Sequence, residues 1–180
     1  MDRDAIVAKL NELVSPLGPA TSVAERREAQ AYWADAGGVM LFDALVDLLA
    51  SGRVAAASGP AVADDVEVLI VEVLARIGTT APAHARDKAC GLLDVEWARG
   101  VAIDVLGAVG GPPAVASLMA LHHRERLDLS TRLRLVSALG EIGGGPALAA
   151  LTALADTTDP GDRVLMREIA LARELARRPA

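Results

Sequence analysis

The sequence predicts an all-α fold: an α–α superhelix of about four helical hairpins with a capping helix at either end. Three observations carry this prediction. Helix formers dominate, with Ala and Leu at 36 and 25 of the 180 positions and aromatic residues at only 2%. Apolar residues recur at helical spacing, as in Val66, Leu69, Ile70, Val73, Leu74 and again in Leu133, Leu135, Val136, Leu139. Three related strings also repeat: Ala75-Arg76-Ile77-Gly78, Gly107-Ala108-Val109-Gly110 and Gly140-Glu141-Ile142-Gly143, whose last glycines lie 32 and 33 residues apart. A fixed period of this length marks stacked units, none of which can bury its apolar face alone.

The whole chain, 1–180, reads as a single repeat domain. A leading helix over about 2–14, within an N-terminal cap of residues 1–21, is followed by hairpins near 22–50, 64–93, 94–123 and 130–156, and by a closing helix near 159–178. Within each hairpin a glycine just past the last turn of the first helix can take the left-handed conformation that stops it. Pro82, Pro113 or Pro146 then opens the second helix, where a missing N–H costs nothing. Acids mark the starts of first helices. Ser22 with Glu25 and Asp64 with Glu67 have capping-box spacing. Asp94 with Arg99, Asp128 with Arg132 and Asp159 with Arg163 place a natural N-cap before an arginine, and those arginines are 33 and 31 residues apart. The earliest unit shows as Ala36-Gly37-Gly38 followed by Met40, Leu41, Phe42, Leu45, Leu48 and Leu49. Gly37 to Gly78 is 41 residues, so an inserted loop is expected at 51–63.

Composition excludes several classes. An apolar content of 52% is too high for a disordered chain, and one cysteine rules out a disulfide framework or a Cys-based zinc site. No apolar stretch approaches the ~20 residues that span a bilayer. Met1-Asp2-Arg3-Asp4 carries acids where a signal peptide carries bases, so a cytoplasmic protein is expected. Sixteen Arg against two Lys, with the alanine excess, fit the codon bias of a GC-rich genome.

The string Ala138-Leu139-Gly140-Glu141-Ile142-Gly143-Gly144-Gly145-Pro146-Ala147-Leu148-Ala149-Ala150-Leu151 resembles a HEAT repeat. It is most similar to the short repeats of the bacterial phycobilisome-lyase type. The resemblance spans roughly residues 22–178 and is strongest from 94 onward. Tetratricopeptide repeats share the period but want recurring Trp, Tyr and Phe, of which this chain has two, one and one. The HEAT likeness implies a solenoid whose second helices line a concave, partner-binding side. It also implies an alternative function, a bilin-lyase-like enzyme or subunit acting on a chromophore-carrying protein.

Aligning the second helices on their prolines, with Met40 standing in for the first, gives three core columns: Phe42, His84, Val115, Leu148; Leu45, Asp87, Leu118, Leu151; and Leu48, Cys90, Leu121, Leu154. Two columns are small, Ala85, Ala116, Ala149 and Ala89, Ala120, Ala153, and become Asp43 and Asp47 in the first unit. The expected partner face is therefore neutral along most of its length and acidic at its N-terminal end, where residues 35–72 hold seven acids and one arginine. The second unit breaks the pattern. Either His84 and Asp87, three apart on one face, form an imidazole–carboxylate pair in the core, or the helix is rotated and buries Ala85, Ala89, Leu92 and Leu93 instead. Cys90 is expected to pack as a small apolar residue.

Other chemistry finds little support. His122 and His123 are adjacent and point about 100° apart on a helix, so they do not share a metal ion, and neither a metal nor a cofactor is expected. Nucleotide and nucleophile-elbow motifs are lacking, and Gly107-Ala108-Val109-Gly110-Gly111 sits at a helix end rather than between strand and helix. The expected partner face lacks the clustered cations that nucleic acid requires. The sequence points to a non-enzymatic adaptor or scaffold for another protein, with the acidic end of that face suited to a basic surface. Asp43, Asp47, His84, Asp87, Lys88 and His123 are its candidate partner-binding residues.

Overall fold

Proline, glycine and short acids set the helix boundaries, although not always at the expected residues. The computed structural model describes residues 38–51, 60–124 and 126–178, with backbone alone at 60–69. Every regular element among them is helical. Helix α1 covers 38–50, followed by α2 (Pro60–Thr80), α3 (Pro82–Leu92), a 3-10 turn (Glu96–Ala98), α4 (Arg99–Val109), α5 (Pro112–Arg124), α6 (Leu129–Ile142), α7 (Gly144–Thr157) and α8 (Arg163–Ala176). The expected leading helix, the first helix of the 22–50 hairpin and the Ser22–Glu25 box lie outside the described residues.

The helices contact one another in two rows. The first helices follow in order, α2 against α4, α4 against α6 and α6 against α8, while α3 meets α5 and α5 meets α7. Each hairpin also packs on itself, α2 with α3, α4 with α5 and α6 with α7. Between the rows runs one apolar cluster that extends from Leu41 to Ala176 and includes the fully buried Leu106, Leu118, Leu139 and Leu151. Each such leucine contributes about 1.5–3 kcal/mol relative to exposure. Among the described residues no helix is long and apolar enough to cross a membrane.

Two of the expected glycine stops are present. Gly110 and Gly143 take φ of +65° and +66° with ψ of −166° and −174°, a region essentially reserved for glycine. Each N–H still closes the last helical turn, onto the carbonyls of Leu106 and Leu139. Gly78 is a correction. It does not stop its helix, which continues to Thr80, and a Cβ there would lie 2.5 Å from Val109 Cγ1. Its role is close approach between α2 and α4. The first glycines of the other two strings act alike, since a Cβ at Gly107 would come 3.1 Å from Ala138 Cα and one at Gly140 would come 3.0 Å from Ala172 Cα.

Other starts are also corrected. Helix α2 is already helical at Pro60, so the expected loop at 51–63 is shorter and Asp64 and Glu67 lie inside the helix rather than at its cap. Asp128 does cap α6, accepting from the Thr131 N–H at 2.8 Å. Asp94 caps nothing; the 3-10 turn intervenes and its carboxylate meets Arg124 instead. Asp162, not Asp159, caps α8 by accepting from the Leu165 N–H at 3.2 Å. Asp159-Pro160-Gly161-Asp162 forms a turn closed by Asp162 N–H to Asp159 O at 2.9 Å, because proline at its second position presets φ. That turn occupies Asp159 and leaves Asp162 at the helix start.

Candidate functional site

The second helices α3, α5 and α7 bury equivalent residues at spacings of four and three: Ala85, Ala89, Leu92; Ala114, Leu118, Leu121; and Ala147, Leu151, Leu154. In this register Pro82 corresponds to Gly111 and Gly144, not to Pro113 and Pro146. The alignment on prolines therefore misplaces α3 by two residues, because proline is tolerated anywhere in a helix's first turn and is a poor register mark. The rotated alternative for α3 is the correct one. Asp87 is exposed and His84 half-buried, so neither is a core residue, whereas the half-buried Cys90 packs against the core as expected. Leu48 and Leu148, also assigned to core columns, are half-buried.

The side of α5 and α7 that faces away from the core carries Ala116, Ala120, Ala149 and Ala153, all exposed. At the same register positions α3 has Asp87 and Gly91, again exposed. The small columns thus hold for two helices, whereas Ala85 and Ala89 belong to the core. Short side chains on successive turns leave the helix surface flat; acids join this side as Asp87 on α3 and the exposed Asp47 on α1 toward the N-terminal end, and as the exposed Asp156 at the end of α7.

Asp43, on α1, is half-buried and tied to α3. Its Oδ1 lies 2.7 Å from His84 Nε2 and 3.6 Å from Lys88 Nζ, and the His84 ring meets Phe42 edge-on at 6.0 Å. The two partners follow from α3's own geometry, since residues 84 and 88 are one turn apart on one face. His84 therefore pairs with a carboxylate 41 residues away rather than with Asp87 on its own helix. Partly exposed pairs of this kind contribute up to about 1 kcal/mol each. The cluster brings together three of the six expected residues, Asp43, His84 and Lys88, and reads chemically as a tie between α1 and α3. The nearby thiol is not aimed at it, because Cys90 Sγ lies 3.0 Å from Ser117 Oγ on α5.

Asp47 and Asp87 remain exposed on the two tied helices, whereas His123 lies apart at the end of α5. There its ring stands 5.4 Å from that of His122 at 60°. Burial holds the His122 imidazole below its ordinary value, and the neighbouring His123 and Arg132 add to the effect. Among the described residues no three His, Cys, Asp or Glu side chains gather as metal ligands.

Several contacts between the elements were missed from sequence. Trp97, 59% exposed, donates its indole N–H to the Leu49 carbonyl at 2.8 Å and so satisfies an orphan acceptor at the end of α1. Arg99 Nε similarly donates to Leu93 O at 2.9 Å. Three ion pairs each span 30 residues: Asp94 with Arg124 at the end of α5, Asp104 on α4 with Arg134 on α6, and Arg132 on α6 with Asp162 at the start of α8. That constant separation is a signal the sequence carried. No family model matches the chain, and no curated protein was found to be significantly similar to it.

Proposed function

We propose that this chain is a HEAT-like α-solenoid that serves in the cytoplasm as a non-enzymatic adaptor or scaffold, holding a partner protein on the face lined by its second helices. The observation that carries the reading is the outward set of Ala116, Ala120, Ala149 and Ala153, continued toward the N-terminus by Asp87 and Asp47. A flat surface of methyl groups admits a partner helix or sheet closely and at little cost in side-chain entropy. Four second helices of about 20 Å, spaced 8–10 Å apart, offer on the order of 800 Å² to one partner, which is the usual size of a specific interface.

Charge supplies orientation. His84 and Lys88 already engage Asp43, so toward the N-terminal end of this face the acids left for a partner are Asp47 and Asp87. They favour a partner with a basic patch and act chiefly on encounter rate and selectivity. The test begins with a partner identified by pull-down from the native organism and purified. Ala149→Arg with Ala153→Arg is expected to weaken binding at least tenfold with helicity unchanged, whereas Ala108→Arg, on the exposed side of α4, leaves it intact. Asp47→Lys with Asp87→Lys is expected to slow association and flatten its salt dependence. Unchanged affinity in the double-arginine variant rejects the reading.

A further inference from the structure

We draw no further inference here: the strongest candidate, the surface patch of exposed Val164, Leu171 and Leu175 along one flank of the last helix, α8, is an apolar face for which nothing in the structure shows what covers it.

Discussion

Replacing Gly140 by alanine sets two physical effects against each other at one atom. Within a helix the change is worth about 1 kcal/mol in favour of folding, because alanine loses less backbone entropy. At Gly140, however, the new Cβ would sit 3.0 Å from both Cα and Cβ of Ala172 and 3.2 Å from its carbonyl oxygen. Those atoms belong to the body of α8 and cannot swing aside as a flexible side chain would. Overpacking of this kind costs about 1–3 kcal/mol, so the expected net effect is destabilisation by about 1 kcal/mol. Gly91 on α3 is the control, since a Cβ there meets nothing within 4 Å. Gly91→Ala is expected to stabilise by about 0.5 kcal/mol, the lower end of the range because it lies near a helix end. For a chain of this length each kcal/mol moves Tm by about 2–4 °C, so the two variants should differ by about 3–6 °C with opposite signs. Thermal and urea unfolding followed by circular dichroism measure this directly. If Gly140→Ala proves as stabilising as Gly91→Ala, then α6 and α8 do not touch through their backbones and the row of first helices is wrong.

Three further outcomes follow from the same geometry. The Glu141 carboxylate leans over Gly107, with Oε2 3.0 Å from where a Cβ would sit, and desolvation raises its pKa above the ordinary value. The folded state therefore favours the neutral acid, an advantage complete below about pH 4.3 and lost as pH rises through the folded value. Glu141→Gln should raise Tm at pH 7 and leave it unchanged at pH 3; a lower Tm at pH 7 would contradict this. Asp128 is shifted the other way by its hydrogen bonds from Thr131, so its contribution is present above about pH 3.9 and disappears as pH falls through the folded value. Asp128→Ala should lower Tm at neutral pH, with the gap closing in acid, and a gap independent of pH would argue against the cap. Trp97→Phe removes the hydrogen bond to Leu49 and is expected to cost about 0.5 kcal/mol, near the lower end for a part-exposed bond. Faster amide exchange confined to the end of α1 would confirm the contact, and unchanged exchange would refute it.

The helical character and the stops at Gly110 and Gly143 were legible in sequence because they arise from local chemistry. Pro82, Pro113 and Pro146 were legible as helix starts but not as register marks. Proline fits several first-turn positions, and the error carried Asp87 into an expected core when it is exposed. The His84 partner was missed for a related reason: an i, i+3 neighbour is visible along a helix, whereas Asp43, across an interhelical contact, is not. Gly107 and Gly140 recur in the sequence as plainly as Gly110 and Gly143. Only three-dimensional packing separates the pair that admits a neighbouring helix from the pair that turns the chain.

The claim that matters most is that the alanine-lined side of the second helices is where a partner sits. Methyl-labelled alanine spectra of the full chain, recorded with and without that partner, test it residue by residue. The methyls of Ala116, Ala120, Ala149 and Ala153 are expected to shift or broaden on binding while Ala108 does not. Perturbation of Ala108 with those four signals unmoved would contradict it.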